Sequence, residues 1–261
     1  RGNMTYSKNE ILEKDEENSV YPYKKEVGYR VNQAKGLIAL GLFKDYDDIR
    51  NSPQQTEWGK VQPGDIKYKD VNGDGIINGN DKVAIGATTK PNLIYGFGIS
   101  AQWNGFDFNM HLQGAGKSSF FIEGHTVFAF SDNQWGNVLE NLVKDRWVDA
   151  QTAEKLGIPA NENPNASYPR LSFGKNDNNQ QKSTFWLRNG SYLRLKTLEV
   201  GYTLPKSIVN KIKFNKIRVF FIGTNLLTFA KFKEWDPELG SSTGTEYPLS
   251  KVFTLGLTVN I

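Results

Sequence analysis

The stretch Leu93-Ile-Tyr-Gly-Phe-Gly-Ile-Ser-Ala-Gln-Trp-Asn-Gly-Phe-Asp-Phe-Asn-Met-His-Leu-Gln113 decides the fold. Successive side chains of a strand point to opposite faces, so reading every second residue separates the two faces. From Leu93 to Trp103 every odd-numbered residue is apolar, and from Phe106 to Gln113 every even-numbered residue is apolar. Asn104-Gly105 stands between the two runs and is a strong signal for a two-residue turn. The stretch therefore predicts a β-hairpin with one apolar and one polar face.

Four more segments resemble strands. Val252 to Ile261 alternates cleanly, with all its odd-numbered residues apolar. Tyr192 to Leu204 and Ile217 to Phe229 alternate imperfectly, and in the first of them the apolar residues change parity near Thr197. Such a change predicts a β-bulge or a change of register. With Arg1 to Tyr6 as the end of a first strand, the chain has six predicted strands.

The second face of these strands distinguishes a soluble sandwich from a membrane barrel. A sandwich typically carries charges on its outer face, whereas these strands carry Gly, Ser, Thr, Asn and Gln, which suit a water-filled or plugged lumen. A strand of roughly 9–11 residues also suffices to cross a bilayer when it is tilted. Aromatic residues near the strand ends would form interfacial girdles, although packing in a core would also explain them; they are Tyr95, Trp103, Phe106, Phe229 and Phe253. The predicted fold class is all-β, an antiparallel transmembrane β-barrel segment of about six strands.

The connections between the predicted strands alternate in length. They run long, short at Asn104-Gly105, long, fairly short at Pro205 to Lys216, and long. Outer-membrane barrels have short periplasmic turns and long extracellular loops. We therefore expect long extracellular loops, one of them with an amphipathic helix predicted by the helical spacing of Val138, Leu139, Leu142, Val143 and Trp147.

One of the long loops contains a candidate calcium site. Asp70-Val-Asn-Gly-Asp-Gly-Ile-Ile-Asn-Gly-Asn-Asp81 places oxygen-bearing groups at positions 1, 3, 5, 7, 9 and 12 of an EF-hand-type loop, with glycine at position 6. The predicted ligands of a structural Ca²⁺ are Asp70, Asn72, Asp74, Ile76 through its carbonyl, Asn78 and Asp81. Position 12 holds aspartate where glutamate is usual. The alternative is a polar turn without an ion, for which the same residue types are favoured.

Composition excludes several function classes. Absence of cysteine excludes thiolate metal sites and disulfides, and a net charge of +4 is too small to indicate a nucleic-acid partner. With two histidines, the chain offers few ligands for a zinc site and few general bases for a catalytic triad. Glu234 with Asp236 or Glu238 would be a glycosidase-like acid pair, but surface acids near an aromatic are common. We expect no enzyme activity and no catalytic residues.

Short runs along the whole chain resemble the C-terminal part of SusC/RagA-type TonB-dependent transporters of the Bacteroidetes outer membrane. The runs occur in the order found in that family. They are Val61-Gln-Pro-Gly-Asp-Ile-Lys-Tyr-Lys-Asp-Val-Asn-Gly-Asp-Gly, Tyr95-Gly-Phe-Gly, Gly105-Phe-Asp-Phe, Asp145-Arg-Trp, Tyr168-Pro-Arg-Leu-Ser, Trp186-Leu-Arg-Asn-Gly-Ser-Tyr-Leu-Arg-Leu-Lys, Gly201-Tyr-Thr-Leu-Pro, Gly223-Thr-Asn-Leu-Leu-Thr and Trp235-Asp-Pro-Glu.

The resemblance implies that residues 1–261 form the C-terminal part of a plugged barrel of about 22 strands, with the calcium loop at 70–81 on the outside of the cell. It implies an outer-membrane location in contact with lipid, and a SusD-like surface lipoprotein as a lid. It also implies import of oligosaccharides or peptides, powered by a TonB complex that contacts an N-terminal region. Loop aromatics that could stack on the sugar rings of a substrate are Phe128, Trp135 and Trp235; these side chains could equally anchor the loops or contact the lid.

A second interpretation stays open. The metal loop also resembles half of a dockerin, so a secreted, calcium-stabilised, β-rich carbohydrate-binding module would carry the same residues. Dockerins repeat the loop, whereas this chain has it once. The two interpretations differ in whether the protein needs detergent to stay dispersed.

Overall fold

A computed structural model describes residues 1–130 and 138–261, and its main feature is one antiparallel sheet. The six strands of the sheet are β1 (Gly2–Tyr6), β6 (Leu93–Trp103), β7 (Phe106–Gly116), β10 (Tyr192–Thr203), β11 (Lys216–Ala230) and β12 (Val252–Asn260). They lie side by side in the order β1-β6-β7-β10-β11-β12. The predicted all-β, six-stranded antiparallel segment is confirmed, with β1 and β12 at its two edges.

The hairpin of β6 and β7 forms as the alternation predicts. Trp103 pairs with Phe106 and Ile99 pairs with Met110, so the apolar residues of both strands share one face. Asn104 and Gly105 both have positive φ, 49° and 86°, as a type I′ turn requires. The right-handed twist of this turn matches that of the flanking strands.

The bulge predicted near Thr197 lies at Lys196. On either side of it, β10 pairs regularly with β7, and the register shifts between Leu195 and Thr197. Arg194 lies opposite Gln113 and Glu199 lies opposite Asn109, which are residues of one face of β7. The extra residue therefore keeps the polar groups of β10 on one face although their parity changes.

The apolar face of the sheet is largely uncovered. Leu255 on β12 is 78% exposed, and the predicted girdle residues Trp103, Phe106, Phe229 and Phe253 are also exposed. Tyr95 is half-buried, and its hydroxyl donates to the carbonyl of Tyr192 at 3.2 Å. An exposed apolar surface of this extent marks a contact with a membrane or with a partner protein.

The buried core of the chain lies outside the sheet, in its three long connections. We call the described residues of 7–92, 117–191 and 231–251 the loop assembly. Its three short antiparallel strand pairs are β2 (Gln33–Gly36) with β5 (Val83–Thr88), β3 (Ala39–Leu42) with β4 (Ile66–Tyr68), and β8 (Ser119–Phe121) with β9 (Leu187–Asn189). Its helices are α1 (Tyr46–Arg50), α2 (Glu140–Asp145) and α3 (Ala150–Leu156). The large buried cluster that includes Leu37, Ile66, Tyr68 and Trp186 belongs to these connections.

The other two connections are the Asn104-Gly105 turn and a short stretch with α4 (Lys206–Val209) and a 3₁₀ turn. Long and short connections therefore alternate as predicted. None of the helices in the described ranges is both long enough and apolar enough to cross a membrane.

The predicted amphipathic helix is shorter than its apolar stripe. α2 ends at Asp145, and Arg146 continues in extended conformation with ψ 161°. Trp147 therefore lies beyond the helix, where its backbone N–H donates to the carbonyl of Tyr168 at 3.0 Å. An isolated parallel bridge to Tyr168 thus takes the backbone N–H of Trp147 away from the helix. The side chain of Arg146 donates to the carbonyl of Val143, one of the carbonyls that the helix end leaves open.

Candidate functional site

The polar face of the sheet carries an ion cluster near the Asn104-Gly105 turn. Arg218 on β11 reaches across β10 to Asp107 on β7, with 2.9 Å between Nε and Oδ1. Its Nη2 also lies 2.6 Å from Oε1 of Glu199. This reach requires Gly201, because a Cβ there would lie 2.5 Å from the guanidinium. The cluster lines a cleft of about 540 Å³ at this end of the sheet.

A second ion cluster joins the sheet to the loop assembly. Arg194 is 2% exposed and forms an ion pair with Asp236. Its Nε lies 3.1 Å from Glu238, which also pairs with Lys196 at 2.6 Å. Asp236 accepts from the backbone N–H of Glu238 at 3.0 Å and so caps the 3₁₀ turn Pro237–Leu239. These contacts fix the β11–β12 connection to the start of β10.

The glycosidase-like acid pair that the sequence offered, Glu234 with Asp236 or Glu238, lies in and beside this second ion cluster. Asp236 and Glu238 neutralise buried basic groups, and Glu234 accepts only from the backbone N–H of Lys233 among its hydrogen bonds in the described chain. The arrangement is that of a structural anchor.

The loop assembly is organised around Asp65, which is 1% exposed. Its carboxylate pairs with Nε of Arg170 at 2.8 Å and accepts from the side-chain amides of Asn176 at 3.1 Å and Asn179 at 2.9 Å. It also accepts from the backbone N–H of Gln62 at 2.8 Å. One buried carboxylate thus joins two segments that lie more than a hundred positions apart. The sequence does not reveal this centre, because Asp and Asn residues in polar segments equally indicate surface turns.

The predicted calcium loop is held by its own side chains. Asp70 accepts from the backbone N–H groups of Gly73 at 2.7 Å and Gly75 at 2.9 Å, and Asp74 accepts from that of Ile76 at 2.8 Å. Gly73 and Gly75 have φ of 74° and 81°, which side chains with a Cβ rarely adopt. The sharp turn expected at position 6 is therefore present.

The other end of the loop is closed by a capping box. Asp81 is fully buried and accepts from Val71 N–H and Asn78 N–H, both at 2.8 Å, and Asn78 accepts from Asn80 N–H at 2.7 Å. In the described ranges, no three His, Cys, Asp or Glu side chains group closely enough to hold an ion. Asp70, Asn72 and Asp74 carry the hard oxygen donors that Ca²⁺ prefers. Both oxygens of Asp70, like both oxygens of Asp81, accept hydrogen bonds from backbone N–H groups of the loop. Calcium binding stays a prediction.

The segment between β1 and β2 packs against this loop. Asn72 donates to the hydroxyl of Tyr21 at 3.0 Å, and the hydroxyl of Tyr23 donates to the carbonyl of Asn80 at 2.9 Å. Burial, with the nearby carboxylate of Asp81, raises the pKa of Tyr23 and keeps this donor protonated. The loop therefore orders a neighbouring part of the chain.

The predicted substrate aromatics lie in different settings. Phe128 packs edge-on to Trp186, with ring centroids 5.3 Å apart. Trp235 packs edge-on to Phe232 at 4.8 Å and donates from its indole N–H to the carbonyl of Ser241 at 3.1 Å. Trp135 lies outside the described residues. Contact of these three side chains with a substrate stays a prediction.

No protein-family model matches the chain. Among curated proteins, it is 29% identical over 250 residues to the TonB-dependent receptor P26 of Formosa agariphila, with 89% of this chain and 23% of the relative covered. It is 27% identical over 240 residues to the TonB-dependent receptor P3 of the same organism, with 84% of this chain and 22% of the relative covered. The TonB-dependent receptor SusC of Bacteroides thetaiotaomicron is 22% identical over 203 residues, with 76% of this chain and 18% of the relative covered.

Solved structures share the fold. The RagAB peptide transporter superposes with a TM-score of 0.64 at 21% identity, covering 90% of this chain and 23% of that one. The RagAB peptide importer in its open-open state gives 0.64 at 20% identity, covering 100% and 26%. The chain thus spans about a quarter of the length of the proteins that it matches. The predicted resemblance to SusC/RagA-type receptors is confirmed.

Proposed function

We propose that the chain forms the C-terminal part of the β-barrel of a SusC-like, TonB-dependent nutrient importer in the outer membrane. The observation that carries this proposal is the two-faced sheet, which has uncovered apolar residues on one side and ion clusters on the other. Charges such as Arg218 and Glu199 are costly in hydrocarbon and favourable towards a wet or plugged interior. The similarity to TonB-dependent receptors supports the same assignment.

The partners follow from this assignment. β1 and β12 offer unpaired edges to the rest of the barrel, and the polar face would contact a plug. A SusD-like surface lipoprotein would cover the loop assembly as a lid, and a TonB complex would act through an N-terminal region. The imported nutrient would be an oligosaccharide or a peptide; the similarity to the RagAB peptide transporter supports a peptide.

We further propose that the loop at 70–81 binds a structural Ca²⁺ on the outer side of the membrane. Asp70, Asn72 and Asp74 would supply side-chain oxygens, with the carbonyl of Ile76 and the Asn78 and Asp81 side chains completing the set. The ion would stiffen the loop and, through Tyr21 and Tyr23, the segment packed on it. The ion would have a structural role and would take no part in transport itself.

Replacing both Asp70 and Asp74 by alanine tests the calcium loop. We expect the double variant to lose its calcium-dependent protection from protease within 70–81, while the six-stranded sheet still assembles. The measurement is limited proteolysis of the outer-membrane protein with calcium and with chelator. A variant in which only the exposed Glu154 on α3 is replaced should behave as the parent does. Equal protease sensitivity of the parent protein with and without chelator would contradict the proposal.

Purification from the outer membrane tests the proposed function against the alternative of a secreted binding module. We expect the protein that contains this chain to need detergent to stay dispersed and to co-purify with a surface lipoprotein. A secreted module would instead stay monodisperse in plain buffer. Recovery of the protein in the soluble fraction without detergent would contradict the assignment.

A further inference from the structure

The loop assembly contains an open cleft of about 510 Å³ between the end of α2, the segment that follows it, and α3. This volume lies within the range of ligand sites in proteins. Its lining includes Tyr46, Arg146, Trp147, Asp149, Leu156 and Arg170.

The exceptional residue in this cleft is Arg146. It is 8% exposed, yet none of the ion pairs in the described part of the chain includes it. Within the residues that the structure describes, its one side-chain hydrogen bond is to the backbone carbonyl of Val143. A guanidinium has five N–H donors, and a buried one is normally paired with an acid. Desolvation lowers the pKa of Arg146, and no acid among the described residues offsets this effect.

The other charges of the cleft are already compensated. Arg170 pairs with the buried carboxylate of Asp65 at 2.8 Å. Asp149 caps α3 by accepting from the backbone N–H of Thr152 at 2.8 Å, and this hydrogen bond holds its pKa below the ordinary value. Asp149 therefore stays ionised and disfavours a ligand with two negative charges.

The backbone around Arg146 is held in place from both sides. Trp147 N–H donates to the carbonyl of Tyr168 at 3.0 Å, and the side chain of Asn161 donates to the carbonyl of Arg146 at 2.8 Å. A site fixed in this way loses little conformational entropy when a ligand binds. A second observation that points to a ligand is the indole N–H of Trp147, which is buried without a hydrogen-bond partner in the described chain.

We propose that this cleft binds an organic molecule with a single carboxylate, held by the guanidinium of Arg146. The planar fork of arginine matches a carboxylate bidentately. The exposed side chains of Tyr46 and Leu156 offer apolar contact to the body of the ligand. The carboxylate can come from a peptide or from a sugar acid, since both present the same group. The inference rests on the proposed function only for the source of the ligand.

The test is direct binding to the purified, detergent-solubilised protein that contains this chain, measured by calorimetry. The probes are N-acetyl-Gly-Leu against its C-terminal amide, and glucuronate against glucose. We expect the acid of at least one pair to bind and its neutral counterpart to bind at least tenfold more weakly. Preference within the first pair identifies a peptide carboxylate, and preference within the second identifies a sugar acid.

Variants locate the binding. Arg146→Gln should weaken binding of the acid at least tenfold, and Arg146→Lys, which keeps the charge but loses the fork, should weaken it less. Lys155→Gln removes a positive charge from exposed α3 and should bind as the parent does. Equal binding of acid and neutral probes, no binding of either acid, or unchanged binding in Arg146→Gln would overturn the proposal. If Arg146→Gln does not fold, the probe pairs and Arg146→Lys still decide.

The outcome is separable from that of the proposed function. Carboxylate binding is measured on purified protein and does not depend on import. Detergent dependence and co-purification of a lipoprotein do not depend on Arg146.

Discussion

Replacing Asp236 by alanine is expected to release the connection between β11 and β12 from the sheet. Arg194 would keep its buried position but lose Asp236, leaving Glu238 at 3.1 Å as its remaining acidic partner. Removing one member of a buried ion pair typically costs about 3–5 kcal/mol, because the other charge stays desolvated. The 3₁₀ turn Pro237–Leu239 would lose its cap as well. We therefore expect local opening of residues 231–251.

Limited proteolysis measures this opening. Lys231, Lys233 and Lys251 are tryptic sites in or beside the connection. They should be cut faster in Asp236→Ala than in the parent protein, while β10 and β11 stay intact. Glu246→Ala is the matched control, because Glu246 is an exposed acid of the same connection without an ion pair in the described chain.

A double variant separates the buried charge from the lost cap. Adding Arg194→Met to Asp236→Ala removes the charge that the single variant leaves behind, and apolar replacement of a whole buried pair is often nearly neutral. The double variant should recover part of the protease resistance. Resistance of Asp236→Ala equal to that of the parent would refute the anchor.

Asp65→Ala is expected to unfold much of the loop assembly while the sheet persists. The change removes the partner of Arg170 and the acceptor of two side-chain amides and one backbone N–H, in a site that is 1% exposed. Loss of a buried ion-pair partner costs about 3–5 kcal/mol. Each donor left without a partner adds about 1–3 kcal/mol. The sum approaches the whole stability of a typical domain, about 5–15 kcal/mol.

Hydrogen exchange followed by mass spectrometry distinguishes local from global loss. Residues 55–70 and 161–190 should lose protection in Asp65→Ala, whereas the hairpin of β6 and β7 should keep it. Asp177→Ala is the control, since Asp177 pairs with Lys175 at the surface of the same segment. Equal loss of protection in hairpin and loop assembly would show that the two do not fold as separate units.

The sheet was predictable from the sequence because its physics is local. Alternation over 11 residues in β6 determines which side chains share a face, and the Asn104-Gly105 turn determines the register. The bulge at Lys196 was also readable, since a single extra residue reverses the parity of everything beyond it.

The loop assembly was not predictable by the same means. Its strands are three to six residues long, too short to show a period, and its centre joins Asp65 to Asn176 and Asn179 far along the chain. No pattern indicates which of many acids will meet Arg194. The sequence predicts too late an end for α2, because the apolar spacing continues to Trp147. In the structure, the bridge between Arg146 and Tyr168 follows directly after the last helical residue, Asp145.

The candidate site was partly predictable. The glycine turn of the 70–81 loop is where the spacing placed it, whereas the use of Asp81 by backbone N–H groups follows only from the three-dimensional arrangement. The lack of an ion pair for Arg146 within the described residues is invisible in the sequence, because it depends on how residues far apart in the chain are arranged around one side chain.

Spin labelling along β12 tests the central claim, that one face of the sheet meets lipid and the other does not. The chain itself has no cysteine, so single cysteines can be introduced at 253, 254, 255, 257, 258 and 259 once any cysteine elsewhere in the protein has been replaced. Gly256 is left unchanged, because a Cβ there would lie 2.2 Å from the ring of Phe220. In the membrane-embedded protein, labels at 253, 255, 257 and 259 should be relaxed by oxygen, which concentrates in lipid. Labels at 254 and 258 should be shielded from it. A period of two residues with this phase is the predicted result; uniform accessibility to a water-soluble relaxant at all six positions would contradict it.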